Sequence, residues 1–320
     1  MSQPENNPAG DTPDRDDPST SAALHSPLST LHSSSPWTVG KLLNSAARLL
    51  AERGSEFPRL DAEVLLAHSL GCRRIDLYTR HEQPASNELR DRFRALVRRR
   101  IDGCPVAYLV GRKEFFSLEF EVSPAVLIPR PESEFVVMEC LRLAKEMSEP
   151  RVADIGTGSG NIAVAVAQQH PGARLTAIDL SLDALALARR NAERHGVTQR
   201  IHFLLGDLFE PIGADARFDF VLSNPPYIPE AELEQLPCGV RDHEPRLALN
   251  GGPSGYEILQ RLVAGAPQHL VPGGYLIVEI GAPQEHTARD HILAYAGYQL
   301  ADTLHDYSGH ARVLCARWRP

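Results

Sequence analysis

Arg151-Val152-Ala153-Asp154-Ile155 is a short, largely apolar run, and Gly156-Thr157-Gly158-Ser159-Gly160 follows it directly. The first run is typical of a buried β-strand, and the alternate glycines are typical of a tight turn that a ligand can approach closely. From Asn161 to Gln169 the pattern becomes helical. A strand, a glycine-rich turn and a helix in this order indicate the first unit of a parallel α/β sheet, with the free N–H groups of the helix at a ligand-binding edge.

The same alternation of short apolar runs and helical patterns continues toward the carboxyl terminus. After Val152–Ile155, the predicted strands are Leu175–Ile178, Ile201–Leu205, Phe218–Leu222 and Tyr275–Ile280. This alternation predicts a parallel sheet with crossover helices such as Leu182–His195. Two further runs, Tyr298–Leu304 and Arg312–Trp318, have only a short turn between them. Because a crossover helix does not fit there, we expect an antiparallel hairpin at the edge of the sheet.

The segments before this sheet differ in composition. Residues 1–36 are rich in Ser, Pro, Asp and Asn, and they are predicted to be a disordered tail because they cannot bury enough apolar surface to offset the entropy of ordering. Residues 37–103 have helical periodicity interrupted by glycines, which predicts a small helical bundle. Residues 104–130 are predicted to be a connector with a β-hairpin, since apolar residues alternate there. The sheet domain is predicted to occupy residues 131–320.

The third predicted helix, Ser86–Ile101, is unusually basic. It carries Arg90, Arg92, Arg94, Arg98, Arg99 and Arg100. These arginines are either the solvated face of the helix or a docking surface for an acidic or RNA-containing partner, and the sequence leaves both interpretations open.

Composition limits the possible classes of protein. The chain has 320 residues, of which 42% are hydrophobic and 23% are charged, and a net charge of −8, as expected for a soluble globular protein. No apolar run approaches the roughly 18 residues of a membrane helix, and no signal-peptide pattern is present, so we expect a cytoplasmic protein with reduced cysteines. The negative net charge disfavours nonspecific binding to nucleic acid. The widely spaced histidines predict no metal site.

Polar residues at the ends of the predicted strands outline a cofactor site. The turn has GxGxG spacing rather than the GxGxxG of pyrophosphate-binding loops, so a ligand without phosphates fits it better. Asp179 ends the second predicted strand and can accept hydrogen bonds from both hydroxyls of a ribose. Asp207 ends the third, where it can accept from an adenine amino group while Leu208 packs on the ring. A helix cap is the structural alternative for Asp179, and a turn residue is the alternative for Asp207.

Asn224-Pro225-Pro226-Tyr227 follows the fourth predicted strand. Neither proline can donate a ladder hydrogen bond, so the chain must leave the sheet as a stiff loop. The Asn224 side-chain oxygen and the Pro225 backbone oxygen can each accept one N–H of a planar nitrogen, and the Tyr227 ring can lie against its flat face. Because this loop and the glycine turn share one sheet edge, the sequence indicates methyl transfer to an amide or amino nitrogen.

Residues 37 to 318 resemble the glutamine N5-methyltransferases of the HemK/PrmC type, which modify peptide chain release factors. The motifs that carry the resemblance are Ala107-Tyr108-Leu109, Glu114-Phe115, Leu127-Ile128-Pro129-Arg130-Pro131-Glu132, Asp154 to Gly160, Asn224 to Tyr227 and Glu244-Pro245. Two positions depart from the family pattern. Leu208 stands where some relatives carry a Trp, and Pro253-Ser254-Gly255 lacks the acidic residue that often precedes the glycine.

The resemblance implies a seven-strand, Rossmann-like methyltransferase domain at residues 131–320 and a helical domain at residues 37–103 that binds the release factor. It implies S-adenosylmethionine as the cofactor, bound by Gly156, Thr157, Gly158, Ser159, Gly160, Asp179, Asp207, Leu208 and Asn224. The glutamine of the release factor's Gly-Gly-Gln motif is expected on Asn224, Pro225, Pro226 and Tyr227, with Asn224, Pro225 and Tyr227 as the catalytic residues. The nitrogen is expected to take the methyl group by direct displacement, without a general base.

Two other functions remain open at this point. An adenine N6-methyltransferase acting on DNA or RNA uses a similar loop, because the adenine amino group is also planar and electron-poor. The acidic net charge and the lack of a large target-recognition region disfavour it. A catalytically silent protein could hold the cofactor as a structural ligand, which the intact loop beside the intact turn disfavours. We therefore expect a protein substrate, no membrane association and no direct nucleic-acid substrate.

Overall fold

The computed structural model describes residues 37–320, and the tail predicted at residues 1–36 lies outside this range. The α-helices are α1 (Val39–Glu52), α2 (Pro58–Leu70), α3 (Asp76–Thr79), α4 (Asn87–Ile101), α5 (Val106–Val110), α6 (Glu134–Ala144), α7 (Asn161–Gln169), α8 (Leu182–Arg194), α9 (Cys238–Arg241), α10 (Glu257–Gly265) and α11 (Glu285–Leu293). The strands are β1 (Arg112–Phe115), β2 (Leu118–Glu121), β3 (Arg151–Ile155), β4 (Arg174–Asp179), β5 (Ile201–Leu205), β6 (Phe218–Ser223), β7 (Leu270–Glu279), β8 (Tyr298–Leu300), β9 (Leu304–His305) and β10 (Ala311–Trp318). None of the helices in this range is long and apolar enough to span a bilayer.

Within residues 37–320, eight strands form one sheet in the order β5-β4-β3-β6-β7-β10-β8, and the short β9 pairs with β10. The strands β5, β4, β3, β6 and β7 run parallel, as their alternation with helices predicts. The strand β10 runs antiparallel to both β7 and β8. The predicted α/β class is therefore confirmed, and the seven predicted strands form the continuous path of the sheet.

Two of the predicted strands differ in extent from the structure. The predicted run Tyr298–Leu304 is divided into β8 and β9, and β10 lies between β7 and β8. The strand β7 begins at Leu270, well before the predicted start at Tyr275. A proline and two glycines in this stretch argue against a strand in the sequence. The chain nevertheless continues because Gly273 adopts a φ of 86°, which only glycine adopts easily.

The connector contains the predicted β-hairpin, in which β1 pairs with β2. Phe116 and Ser117 form its turn with φ of 51° and 58°. Positive φ at both central residues is the turn geometry that matches the twist of paired strands. The hairpin packs on α8, where Asn191 Oδ1 accepts from Glu121 N at 2.7 Å and Asn191 Nδ2 donates to Glu121 O at 3.0 Å.

One hydrophobic core joins the helical part to the sheet domain. Buried residues of α1, α2 and α4 pack in the same cluster as Val126 and Ile128 of the connector and Ala184 and Leu187 of α8. The Tyr108 hydroxyl of α5 donates to Val126 O at 2.6 Å, which ties the first part of the connector to its last part. The helical bundle and the sheet are therefore parts of one packed body.

Some of the arginines of α4 are bound within the helical part. Arg100 Nε donates to Asp61 Oδ2 at 2.8 Å. Arg90 lies over the Trp37 ring at 5.4 Å from its centroid. These two contacts anchor α4 on the bundle. They leave the docking interpretation of the basic face as a prediction.

Candidate active site

A cleft runs along the carboxyl ends of the central parallel strands. Its lining includes most of the predicted site residues, namely Gly156, Thr157, Gly158, Ser159, Asp179, Asp207, Leu208, Asn224 and Pro226. As far as the described residues define that lining, Gly160, Pro225 and Tyr227 are outside it. Segments that follow β3, β4, β5 and β6 thus meet at one edge of the sheet, where open α/β sheets bind their ligands.

The glycine turn presents its backbone to the cleft. Gly156 and Gly158 have φ of 74° and 54°, and no described atom beyond the neighbouring residues lies within 4 Å of the position that a Cβ would take at either residue. The N–H groups of Gly156 and Thr157 both donate to Ile178 O at 2.9 Å, which ties the turn to β4. A ligand can therefore approach the backbone of this turn without meeting side chains.

Two contacts behind the turn hold it in place. Asp154 is buried near the end of β3, and its Oδ2 accepts from Thr157 Oγ1 at 2.6 Å and from Ala163 N at 3.2 Å. Burial raises the pKa of Asp154 to about 7. Gly160 is the N-cap residue of α7, and a Cβ there would lie 3.1 Å from that of Ala188 in α8. Asp154 and Gly160 therefore support the shape of the turn.

The Asp179 carboxylate faces the cleft from the end of β4. Its Oδ2 accepts from Gly158 N at 2.8 Å, and its Oδ1 accepts from Ser181 N at 2.9 Å. Burial raises the pKa of Asp179, and backbone hydrogen bonds oppose this effect. The cap of α8 is Ser181, whose hydroxyl accepts from Ala184 N, so Asp179 is not the helix cap. Each carboxylate oxygen can accept a further hydrogen bond from a ligand.

Asp207 and Leu208 form a strained turn at the end of β5. Leu208 has a φ of 50°, a left-handed conformation that is unusual for a leucine. Such strain persists only where the surroundings enforce it, and it occurs often at ligand sites. Asp207 Oδ2 accepts from Arg261 Nη2 at 2.8 Å, which fixes the carboxylate beside the cleft. The contact of Asp207 with adenine stays a prediction.

Two buried residues orient the Asn224 side chain. Asn224 Nδ2 donates to Ser133 Oγ at 2.9 Å, and Ser133 Oγ donates to Glu279 Oε2 at 2.5 Å. Ser133 and Glu279 are only 1% and 2% exposed. With Nδ2 engaged, Oδ1 is the Asn224 atom left to accept from a ligand. The sequence did not predict Ser133 or Glu279, although an acidic residue at the end of the apolar β7 was an available signal.

The backbone of the Asn224–Tyr227 loop is fixed from behind. Tyr227 O accepts from Gln284 Nε2 at 2.9 Å, and Gly251 N donates to Ile228 O at 2.9 Å. Gly251 approaches the loop so closely that a Cβ there would lie 2.8 Å from Pro226 O. Burial raises the pKa of Tyr227 to about 12, so its phenol stays protonated near neutral pH. Tyr227 is therefore not suited to act as an acid or base near neutral pH, and its predicted contact with the flat face of the substrate stays a prediction.

Glu244 joins the segment after this loop to the connector. Its side chain is 1% exposed and accepts from Ile128 N at 3.1 Å and from Arg130 Nη2 at 2.5 Å. A buried carboxylate without partners is costly, and these two donors compensate its charge. The contacts hold the connector against the rim of the cleft.

Two families of known domains match the chain. Residues 41–111 match the PrmC N-terminal domain, and residues 135–236 match the methyltransferase small domain. The first match overlaps the helical part, and the second contains the glycine turn, Asp179, Asp207 and the Asn224–Tyr227 loop.

Full-length proteins are also similar to the chain. A release factor glutamine methyltransferase of Rhodopirellula baltica is 44% identical over 283 residues, which are 87% of this chain and 96% of that protein. One from Geobacter sulfurreducens is 44% identical over 281 residues, which are 88% and 97% of the two chains. The crystal structure of a protein-(glutamine-N5) methyltransferase (release factor-specific) from Alicyclobacillus acidocaldarius is 29% identical, with a TM-score of 0.39, and the match covers 63% of this chain and 100% of that one.

Proposed function

This chain belongs to the release factor glutamine methyltransferases, and on that basis we propose that it transfers a methyl group from S-adenosylmethionine to a glutamine of peptide chain release factors. The acceptor is N5 of the glutamine in the Gly-Gly-Gln motif. The observation that carries the proposal is Asn224, whose oriented side chain lies in the same cleft as the glycine turn. Because release factors act in translation, the proposal includes a cytoplasmic location.

The residues of the cleft fit S-adenosylmethionine. The open space beside Gly156 and Gly158 admits a ligand against the backbone, and no phosphate-binding side chain is needed there. Asp179 keeps the capacity to accept from both ribose hydroxyls, and the Asp207-Leu208 turn would hold the adenine. The cofactor, when bound, would supply an electrophilic methyl group on a sulfonium and leave as S-adenosylhomocysteine, and the nitrogen would lose its extra proton to water after the transfer.

The Asn224–Tyr227 loop would prepare the glutamine nitrogen for attack. An amide nitrogen is a poor nucleophile because its lone pair is delocalised into the carbonyl group. If Asn224 Oδ1 and Pro225 O each accept a hydrogen bond from one of its N–H groups, electron density returns to the nitrogen. The two hydrogen bonds also fix the direction of the nitrogen lone pair. Positioning of this kind supplies up to roughly 7–11 kcal/mol in ideal intramolecular reactions. Pro226 and Tyr227 would bound the flat amide group.

The proposal is tested by mass spectrometry of a purified release factor after incubation with this protein and S-adenosylmethionine. We expect a single added methyl group, which fragmentation of the Gly-Gly-Gln peptide locates on the glutamine side chain. Transfer to adenine in DNA or RNA, with none to the release factor, would replace the proposal with the nucleic-acid methyltransferase. Binding of S-adenosylmethionine without transfer to either substrate would favour the catalytically silent protein.

We expect Asp179→Ala to weaken the binding of S-adenosylmethionine by about 10-fold or more, because hydrogen bonds to a charged acceptor contribute about 1.5–3 kcal/mol. Isothermal titration calorimetry measures this affinity directly. Asp183→Ala is the matched control, since Asp183 is an exposed aspartate in the first turn of α8. Equal affinities for the two variants would remove Asp179 from the cofactor site.

A further inference from the structure

We propose that Ser133 and Glu279 lock the Asn224 side-chain amide in one orientation and thereby make the pocket specific for a substrate group that donates N–H bonds. The inference rests on the proposed function and extends it to two positioning residues. Glu279 acts through Ser133, and Ser133 acts through Asn224, so the three residues form a directed chain of hydrogen bonds.

The geometry brings three distant segments of the chain to one point. Ser133 lies in the short turn of helix before α6, Asn224 follows β6, and Glu279 ends β7. The two hydrogen bonds measure 2.9 and 2.5 Å, and Ser133 and Glu279 are buried. Both bonds join side chains rather than backbone groups, so their direction is set by the protons that the side chains carry.

The direction of the bonds follows from the charge of Glu279. An ionised carboxylate can only accept, so the single Ser133 proton must point to Glu279. The Ser133 oxygen then accepts from Asn224 Nδ2, and Asn224 Oδ1 is left for the substrate. If Glu279 is protonated it can donate instead, and the chain can reverse so that Ser133 donates to Asn224 Oδ1. In the reversed amide, the Asn224 Nδ2 donor would face the N–H groups of the glutamine, so that donor meets donor and no hydrogen bond forms.

Other charged groups around Glu279 set where this change occurs. Burial raises the pKa of Glu279 to about 7, and the nearby Glu132 acts in the same direction. Arg312 of β10 and Arg130 of the connector act against this rise. Tyr227 also faces Glu279, but its own raised pKa keeps its phenol neutral. The ionised form of Glu279 therefore becomes dominant as the pH rises through neutrality.

The pH dependence has a definite sign. Methyl transfer needs the ionised form, so kcat at saturating cofactor and release factor should fall as the pH drops below about 7. The substrate amide does not titrate in this range, and Asn224 does not titrate at all. The KM for the release factor should change less than kcat, because the reversal of the Asn224 amide changes the orientation of the reacting nitrogen.

The test compares Glu279→Gln, Ser133→Ala and Ser133→Thr with the wild-type protein between about pH 6 and pH 8, on either side of the Glu279 pKa. The amide that Glu279→Gln introduces can donate or accept at any pH. We therefore expect kcat of this variant to be about 10-fold lower at pH 8, as for the loss of an outer hydrogen-bond partner that orients a site residue, and we expect its decrease toward low pH to disappear. Ser133→Ala should show the same lower kcat and the same absence of a decrease toward low pH. Ser133→Thr keeps the hydroxyl and should restore both the rate and the pH profile.

Glu139→Gln is the matched control, because Glu139 of α6 is also buried and paired, with Arg142. It should keep the wild-type pH profile. Binding of S-adenosylmethionine, measured by calorimetry, shows that each variant is folded. If Glu279→Gln does not fold, the comparison of Ser133→Ala with Ser133→Thr tests the proposal. An active wild-type protein whose Ser133→Ala variant keeps its rate and pH profile would overturn the lock. A wild-type protein that methylates no release factor would instead overturn the proposed function.

Discussion

We expect Asn224→Ala to lower kcat for glutamine methylation by roughly 10²–10³-fold, as the deletion of a preorganised polar group does in other enzymes. Alanine removes the Oδ1 acceptor and leaves the substrate amide with one carbonyl partner at most. The nitrogen then keeps its delocalised lone pair and loses its fixed direction. Single-turnover methylation of a purified release factor at saturating S-adenosylmethionine measures this effect on the chemical step.

The loss should fall mainly on the chemical step. Affinity for S-adenosylmethionine should fall far less than kcat, because Asn224 is only one of the expected cofactor contacts and the glycine turn and Asp179 are unchanged. Asn44→Ala makes the same substitution at an exposed position of α1, and it should leave kcat at saturating substrate unchanged. Turnover by Asn224→Ala within a few-fold of the wild-type rate would contradict the role that we assign to this side chain.

Gly251→Ala should reduce methyl transfer by about 10²-fold without replacing any proposed site residue, since a displacement of about 1 Å at a reacting group costs about this factor in rate. A Cβ at residue 251 would lie 2.8 Å from Pro226 O and from the Tyr227 Cα, and 2.9 Å from Gly255 O. All three are backbone atoms, so the clash can be relieved only by moving the backbone around the Asn224–Tyr227 loop. Methylation of a purified release factor under single-turnover conditions measures the loss.

Gly213→Ala is the control for this prediction, because no described atom beyond the neighbouring residues lies within 4 Å of the new Cβ and Gly213 is not in the left-handed region of φ. It should be indistinguishable from the wild-type protein in rate. The stability of Gly251→Ala should fall by the amount typical of an overpacked site, about 1–3 kcal/mol, which thermal unfolding measures. Normal activity of a folded Gly251→Ala variant would mean that the loop tolerates displacement. This result would contradict our view that catalysis depends on the position of the Asn224–Tyr227 loop.

The parts of the fold that the sequence predicted are those with local signals. Each parallel strand is a short apolar run, and α7 was predicted with the bounds that the structure has, because a glycine turn marks its start. The convergence of the glycine turn, Asp179 and Asn224 at one edge follows from parallel topology alone. Local periodicity was less informative for β7, where a proline and two glycines hide the first half of a strand.

The sequence did not predict the support of the site, because it depends on contacts between distant segments. Ser133 and Asn224 are 91 residues apart, and Ser133 and Glu279 are 146 residues apart. Glu244 binds Arg130 across 114 residues. The hydrophobic periodicity of one helix or strand does not indicate which distant residue a side chain will contact. A buried glutamate within an apolar strand was the nearest signal, since an ionisable group is rarely buried without a partner.

The shared core of the helical bundle and the sheet has a consequence for how a large substrate is recognised. Ala184 and Leu187 of α8 belong to the same hydrophobic cluster as buried residues of α1, α2 and α4, so separating the two parts would open a hydrophobic core. A protein that touches both the bundle and the cleft is therefore held across a fixed span. We therefore expect a glutamine to reach the Asn224–Tyr227 loop only if its distance from the bundle-binding surface of its own protein matches this span.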